Sequence, residues 1–195
     1  KSFRRELVRT TSANDRIIVG LLDDNVYLKG RYIGGIRIYG TINDAPEVIN
    51  RLNVDTVVIA GMGGETIISI LSAAPWAKEN TLLLLQPMTK IELLRRWLGE
   101  NSYVFEQERL VWDKEILYPI FLVRGGKKRE LNEVETYAGV ALENDPLYGD
   151  YLDHQMSRLQ KAIDGLNKAN DCCSHSRACE FDAIRKALEE KRSAL

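Results

Sequence analysis

The sequence predicts a mostly parallel, three-layer α/β domain followed by an antiparallel helical hairpin. Up to about residue 100, apolar runs of strand length alternate with segments whose apolar residues recur every three or four positions. Two strand patterns with a short connection come next, and residues 130–195 contain helical patterns without a strand pattern. Alternating strands and helices are typical of a sheet covered by helices. We therefore expect an α/β domain at residues 1–126 and a helical domain at residues 127–195.

The elements predicted in the first part of the chain rest on apolar runs and on capping residues. They are a helix end at 2–10, strands at 16–22, 36–39 and 55–60, and a helix at 43–52. The run at 16–22 is continuously apolar, which is typical of a strand buried on both faces. The helix can be capped by Asn43 or Asp44, and Pro46 suits its first turn.

The later elements show the same patterns. They are strands at 81–85, 103–111 and 116–123, and helices at about 65–73, 89–99, 146–169 and 178–194. The close spacing of the last two strands predicts an antiparallel hairpin. The last two helices are joined by a predicted loop that runs from Asn170 to His175.

Composition and charge exclude several classes of protein. With 195 residues, 45% hydrophobic and 28% charged, the chain is ordinary for a soluble globular protein. The net charge of -1 gives no overall positive field, so any nucleic-acid contact must come from a local patch. The longest apolar run, at 81–87, is too short to cross a bilayer, and no signal-peptide pattern opens the sequence. We therefore expect a cytoplasmic protein without a membrane partner.

Three cysteines and a histidine lie close together near the end of the chain. They are Cys172, Cys173, His175 and Cys179. Structural zinc sites usually space their cysteines as Cys-x2-Cys, and adjacent cysteines fit that spacing poorly. The sequence therefore predicts reduced thiols in a loop and no metal.

Four local strings carry a family resemblance. They are Val54 to Gly64 (VDTVVIAGMGG), Leu84 to Pro87 (LLQP), Leu94 to Leu98 (LRRWL), and Tyr118 to Ile120 (YPI) after the acidic Glu115. In this order and spacing, with a helical hairpin behind them, they resemble the bacterial tRNA (adenine-22) N1-methyltransferase family over residues 54–170.

The resemblance implies a class I, Rossmann-like methyltransferase that uses S-adenosylmethionine and binds tRNA through its C-terminal helical domain. In that family a glycine turn comes after the fourth strand of the sheet, where related enzymes hold the target base. The residues that carry over to the turn and to the end of the next strand are Gly61, Met62, Gly63, Gly64, Gln86 and Pro87. Where the family usually has Asn after this proline, the sequence has Met88.

Residues 1–60 depart from the family. The family's donor-binding string, of the type Val-Ala-Asp-Ile-Gly-Ser-Asp-His, does not occur in residues 1–53. That stretch instead resembles the Rossmann segment of nucleotide-sugar epimerases and dehydratases. The matching runs are Val19 to Asp24, Lys29 to Arg31, Gly35 to Ile36 and Tyr39 to Ile42. Two alternatives to an active methyltransferase therefore stay open: an inactive RNA-binding remnant, or a nucleotide-sugar-binding fragment within a chimeric chain.

The glycine turn also suits base binding on physical grounds. Glycines let a backbone approach a flat base closely and tolerate positive φ, and ligands of open α/β sheets bind at the carboxyl ends of strands. A plain strand-to-helix turn is the alternative. Asp23 and Asp24 end a predicted strand, where a carboxylate can bind ribose hydroxyls. They can equally stop the strand and cap the next segment.

Basic side chains in the helical domain are candidates for tRNA contact, because phosphates attract cations. They are Lys127, Lys128 and Arg129 at the domain junction, and Arg158, Lys161 and Lys168 along the first long helix. Residues 127–195 hold 11 basic and 13 acidic side chains, so an ordinary solvated face is the alternative.

Overall fold

The structure, a computed structural model, describes residues 17–79, 81–169 and 171–195. It divides the chain between Val54 and Asp55 into two units, and each unit has a sheet of its own. The helix predicted at residues 2–10 lies outside the described residues. None of the described helices is both long enough and apolar enough to span a membrane.

The first unit contains a small mixed sheet and a helix. Its elements are β1 (Leu21–Leu22), β2 (Tyr32–Ile33), β3 (Ile36–Gly40) and α1 (Ala45–Leu52), with 3₁₀ turns at Val26–Leu28 and Ile42–Asp44. The strand order is β1-β3-β2, with β1 parallel and β2 antiparallel to β3. The strand predicted at 36–39 and the helix predicted at 43–52 are confirmed. Asn53 ends α1 in the left-handed conformation.

The buried strand predicted at 16–22 is wrong for its described part. Only Leu21 and Leu22 form a strand, and the side chain of Ile17 is 78% exposed. The reason lies in the partner strand. Leu21 pairs with Ile38, so a longer β1 would need partners before Ile36, where Gly34 and Gly35 turn the chain with positive φ. The upstream apolar residues therefore have no strand beside them.

The second unit is built on a four-stranded sheet. Its strands are β4 (Thr56–Gly63), β5 (Leu82–Thr89), β6 (Tyr103–Asp113) and β7 (Ile116–Gly125), in the order β4-β5-β7-β6. Strands β4 and β5 are parallel, whereas β5, β7 and β6 are joined antiparallel, which confirms the predicted hairpin. Helices α2 (Gly64–Ser72) and α3 (Ile91–Glu100) connect β4 to β5 and β5 to β6.

The main core lies on one face of this sheet. Leu83 and Leu85 of β5, and Phe121 and Val123 of β7, are fully buried there. They pack with the apolar stripes of α2 and α3, so both helices cover the same face. Side chains alternate across a strand, so the residues between these point to the opposite face.

Three helices come after the sheet: α4 (Glu133–Ala138), α5 (Tyr148–Leu166) and α6 (Cys172–Ser193). Helices α5 and α6 confirm the predicted helical hairpin, and a second core joins them to Leu110 and Leu117 of the strand hairpin. The loop predicted from Asn170 to His175 is wrong from Cys172 onward, and Asn170 lies outside the described residues. Helix α6 begins at Cys172, because the Asp171 side chain accepts a hydrogen bond from the Ser174 N–H at 2.8 Å and caps the helix.

The boundary predicted between residues 126 and 127 lies inside the second unit. It falls between the last strand, which ends at Gly125, and helix α4, which begins at Glu133. It separates the sheet from the helical elements along the chain and stays a prediction.

Candidate functional site

The glycine turn forms the carboxyl end of β4 and contains a bulge. Ala60 pairs with Gln86 and Met62 pairs with Pro87, so Gly61 between them is left outside the regular ladder. Gly61 has φ of +75°, a conformation that glycine adopts without strain. A Cβ atom added to Gly61 would meet nothing within 4 Å. The backbone at this position is therefore open on one side and can approach a ligand closely.

The Gln86 side chain holds the turn in place. Its Oε1 accepts a hydrogen bond from the Gly61 N–H at 2.8 Å. Pro87 is buried, whereas Met62 and Met88 are 39% and 49% exposed. The structure thus brings together two of the four strings that carried the resemblance, and two exposed methionines lie at the carboxyl ends of β4 and β5.

Packing requires a glycine at Gly64 and constrains Gly63 less strongly. A Cβ atom on Gly64 would lie 2.3 Å from the Lys90 carbonyl oxygen, and one on Gly63 would lie 3.0 Å from Thr89 Oγ1. Any side chain on Gly64 would therefore push away the segment that joins β5 to α3. Gly64 is also buried as the first residue of α2. Within the predicted turn, only the side of Gly61 and Met62 offers open backbone and exposed side chains.

Both carboxylates at the end of β1 take part in local structure. Asp23 Oδ1 accepts a hydrogen bond from the Asn25 N–H at 2.9 Å. Asp24 Oδ1 accepts one from the Ile42 N–H at 3.1 Å, at the start of the second 3₁₀ turn. These contacts correspond to the capping role that the sequence left open. Ribose binding by Asp23 or Asp24 stays a prediction.

The basic residues at the domain junction are exposed, and two of them form ion pairs. Lys128 Nζ lies 3.2 Å from a Glu130 carboxylate oxygen, and Arg129 pairs with Glu135. Exposed ion pairs of this kind are weak, so the basic side chain can readily exchange its carboxylate partner for another anion. Lys127, Lys128 and Arg129 therefore stay candidates for phosphate contact.

Helix α5 presents a short basic face. Arg158 and Lys161 are exposed one turn apart, and Arg158 lies 3.8 Å from a carboxylate oxygen of Glu92. His154 lies one turn before Arg158 on this helix, and burial and the charges of Arg158 and Lys161 lower the pKa of its imidazole. The placement of Lys168 along the helix is wrong. Helix α5 ends at Leu166, so Lys168 lies in the turn after it.

The three cysteines are unpaired and exposed. Cys172, Cys173 and Cys179 all lie on α6 and not in a loop. In the part of the chain that the structure describes, no group of three or more His, Cys, Asp or Glu side chains is placed to hold a metal ion.

A buried ion pair that the sequence did not predict joins the sheet to the helical elements. The Arg95 and Glu108 side chains have no solvent exposure, and Arg95 Nε donates to Glu108 Oε1 at 2.8 Å. Arg95 Nη1 also donates to the Tyr151 hydroxyl of α5 at 2.9 Å. Burial opposes the charge of Arg95, but Glu108 and Tyr151 together outweigh it and raise the pKa of the guanidinium.

The second oxygen of Glu108 completes this network. Glu108 Oε2 accepts hydrogen bonds from the Val140 and Ala141 N–H groups, at 2.5 Å and 2.8 Å. One carboxylate on β6 therefore fixes α3 on one side and the segment after α4 on the other. A signal existed in the sequence: Arg95 and Glu108 are charged residues on otherwise apolar stripes of a helix and a strand.

Comparison with known proteins places these features in a family. The sequence model of the tRNA (adenine(22)-N(1))-methyltransferase family matches residues 36–191. The tRNA (adenine(22)-N(1))-methyltransferase of Bacillus subtilis is 30% identical over 112 residues, which are 56% of this chain and 44% of that protein. The chain spans 38% to 56% of the length of three curated relatives that it matches.

Two solved structures share the fold. The B. subtilis m1A22 tRNA methyltransferase TrmK superposes with a TM-score of 0.64 at 20% identity, over 80% of this chain and 70% of that one. TrmK of M. capricolum, solved with S-adenosylhomocysteine, superposes with a TM-score of 0.55 at 21% identity, over 76% of both chains. These likenesses confirm the Rossmann-like α/β fold. Because the family match covers most of the sequence, the chain belongs to the tRNA (adenine(22)-N(1))-methyltransferase family.

Proposed function

We propose that the chain acts in the transfer of a methyl group from S-adenosylmethionine to N1 of an adenine in tRNA. The observation that carries this proposal is the bulged turn at Gly61, held by Gln86 at the carboxyl end of β4, in a member of this methyltransferase family. Open α/β sheets bind ligands at this edge.

The chemistry requires little from side chains. N1 of adenine is nucleophilic at neutral pH, so the protein has to position the base in line with the methyl group and exclude water. A base in folded RNA has to leave its stack to reach such a turn. The open backbone at Gly61 and the exposed Met62 suit a flat, partly apolar ring.

The fit of the described residues to the methyl donor is partial. The turn at Gly61 is the place we assign to the target base, and S-adenosylmethionine, when bound, supplies the methyl group. The carboxylates that we expect to bind ribose, Asp23 and Asp24, already accept hydrogen bonds from backbone N–H groups. We therefore assign the turn to the proposed site and leave the ribose contact to measurement.

We propose that tRNA binds along the helical hairpin and the domain junction. Arg158 and Lys161 share a face of α5, and Lys127 is exposed after β7. Phosphate contacts from such residues would orient the tRNA without reading its sequence. A protein that modifies tRNA works where tRNA is present, and we propose a cytoplasmic location.

The test of the methylation proposal uses Met62→Trp, whose ring would fill the space beside Gly61. We expect methyl transfer to tRNA from labelled S-adenosylmethionine to fall at least about tenfold, which corresponds to about 1.4 kcal/mol. Leu93→Trp is the matched control, because Leu93 is similarly exposed, at 36%, and is not one of the residues of the turn. Equal activity of both folded variants would contradict a role for the turn.

A second candidate function, RNA binding without methyl transfer, is favoured by the lack of the donor string in residues 1–53 and by the engaged carboxylates of Asp23 and Asp24. Calorimetric titration with S-adenosylmethionine and S-adenosylhomocysteine separates the two. Binding at about micromolar affinity supports the enzyme. A folded chain that binds tRNA but neither nucleotide supports the second candidate.

We also infer that the start of the chain has a separate origin, as a nucleotide-sugar-binding Rossmann segment. The chain passes from the first unit to the second between Val54 and Asp55, where the two resemblances join. The family match begins at Ile36, so this inference rests on the residues before it. Titration with a nucleotide sugar such as UDP-glucose tests this inference. The nucleotide sugar should bind if the segment keeps that function.

A further inference from the structure

Helix α3 runs from the carboxyl ends of β4 and β5 back toward their amino ends. It begins at Ile91, directly after β5, and ends at Glu100, just before β6, which runs in the same direction as β5. Its start lies beside the glycine turn, because a Cβ atom on Gly64 would be 2.3 Å from the carbonyl oxygen of Lys90. With 10 residues and a rise of about 1.5 Å each, α3 separates its two ends by roughly 15 Å.

The two groups of basic residues lie at opposite ends of α3. The Arg129 N–H donates to the Gly99 carbonyl oxygen at 3.0 Å, so the junction group, Lys127 to Arg129, lies at the last turn of α3. Arg158 of α5 instead lies 3.8 Å from a carboxylate oxygen of Glu92, in the first turn of α3. Arg158 is therefore at the end of the helix that adjoins the glycine turn, and the junction group is at the other end.

The direction of α5 carries Lys161 toward the glycine turn as well. Arg95 of α3 donates to the Tyr151 hydroxyl of α5. Glu92 is one turn earlier on α3, whereas its partner Arg158 is two turns later on α5. The two helices therefore run in broadly opposite directions where they meet. Lys161 is one turn beyond Arg158, so it continues toward the carboxyl ends of β4 and β5.

The Arg158 side chain is held in place by neighbouring groups of the second unit. Its Nη1 donates to Gln155 Oε1 at 2.9 Å, and Gln155 is buried. The distance of 3.8 Å to Glu92 is longer than a hydrogen bond, so this carboxylate orients the guanidinium by charge. A guanidinium has more N–H donors than these contacts use, and it binds phosphates bidentately. Arg158 can therefore bind a phosphate at little cost in side-chain entropy.

We propose that Arg158 and Lys161 bind the backbone phosphates next to the target adenine and hold that nucleotide at the glycine turn. The junction group, at the far end of α3, then contributes to the affinity for tRNA and not to the placement of the adenine. A base that has left its stack needs such fixed contacts beside it, and phosphate contacts fix orientation without reading sequence. This proposal rests on the proposed methyl transfer, and its contacts all lie within the second unit.

The experiment separates placement from affinity. Methyl transfer from labelled S-adenosylmethionine is measured in a single turnover over a range of tRNA concentrations. Arg158→Glu with Lys161→Glu should lower the rate at saturating tRNA at least about tenfold, because the adenine is misplaced even when tRNA is bound. Arg158→Lys with Lys161→Arg keeps both charges and should keep most of the rate.

Charge reversals elsewhere in the second unit complete the comparison. Lys127→Glu with Lys128→Glu should raise the tRNA concentration that gives half the maximal rate, with the maximal rate itself retained. Lys186→Glu is the matched control, because Lys186 is an exposed lysine on α6, and it should change neither quantity. Equal losses of maximal rate from the two double variants would overturn the proposal.

A wild-type chain that transfers no methyl group would contradict the proposed function, and cross-linking then tests the placement separately. A photoreactive group is attached to Lys161→Cys in a chain whose three native cysteines are replaced by serine. It should attach to nucleotides beside adenine 22, the position in the family's name. Attachment only to distant parts of the tRNA would overturn the proposal.

Discussion

Replacing Glu108 by Gln should destabilise the second unit strongly. Glu108 receives hydrogen bonds from Arg95 Nε and from the Val140 and Ala141 N–H groups, so every group that faces it is a donor. A glutamine amide has one oxygen and an NH2 group. Whichever way it turns, the NH2 group meets a donor, and the guanidinium of Arg95 is left buried without a counter-charge.

The magnitude depends on burial. Breaking a buried ion pair by removing one charge costs about 3 to 5 kcal/mol, because the remaining charge stays out of water. A domain of this size has a total stability of about 5 to 15 kcal/mol, so the loss is a large fraction of it. The exposed pair Arg124–Glu106 is the matched control on the same strand, because the Arg124 side chain is 63% exposed. Glu106→Gln should cost less than about 1 kcal/mol.

Urea unfolding monitored by tryptophan fluorescence measures both variants, since all three tryptophans lie in the second unit. A double-mutant cycle with Arg95→Met and Glu108→Leu isolates the pair. The double variant should lose less than the sum of the singles, by about 0.5 to 3 kcal/mol. If Glu108→Gln loses no more than Glu106→Gln, the argument that this pair holds the helical elements to the sheet is wrong.

Other contacts of the second unit lead to three more expectations. Asp171→Ala should remove the cap of α6 and lower the free energy of unfolding by about 1 kcal/mol, measured by thermal unfolding. Burial raises the pKa of Tyr103 and Tyr148 to about 12. As the pH rises, the unfolded chain therefore loses these protons before the folded chain does. The free energy of unfolding should fall between about pH 10 and pH 12, by up to about 3 kcal/mol per tyrosine. Replacement of each by Phe should remove its share of that fall. Arg158→Glu with Lys161→Glu should weaken tRNA binding and flatten its dependence on salt, measured by filter binding; an unchanged salt slope would make this face an ordinary solvated one.

The sequence was sufficient for the elements between residues 55 and 125, because strands and helices there keep distinct periods. Prediction from the sequence failed where the structure of a segment depends on a neighbouring element of the fold. The apolar run ending at Leu22 forms a strand only at its last two residues, because its partner β3 begins after the Gly34–Gly35 turn. Helix α4 was missed although Asn132 and Glu135 form a capping box, because a helix of six residues shows too little periodicity.

The candidate site shows the same limit. The sequence pattern grouped Gly61 to Gly64 as one turn, but it could not separate the open Gly61 from Gly64, which packing requires to be a glycine. That distinction depends on Lys90 and Thr89, which approach from a different strand end. The contact between Gly61 and Gln86 likewise joins residues 25 positions apart in sequence. Only the family resemblance related the two strings before the fold was known.

The run Leu82 to Leu85 shows how far a strand pattern predicts burial. A run of four leucines on a strand predicts burial on both faces, and β5 meets that expectation on one face only, where Leu83 and Leu85 are fully buried. Leu82 and Leu84 carry the same hydrophobicity to the opposite face, where they are only half-buried. Continuous apolar runs of this kind are typical of strands that are covered on both faces. The run therefore predicts a covered strand, and the side on which the core forms depends on α2 and α3, which pack against Leu83 and Leu85.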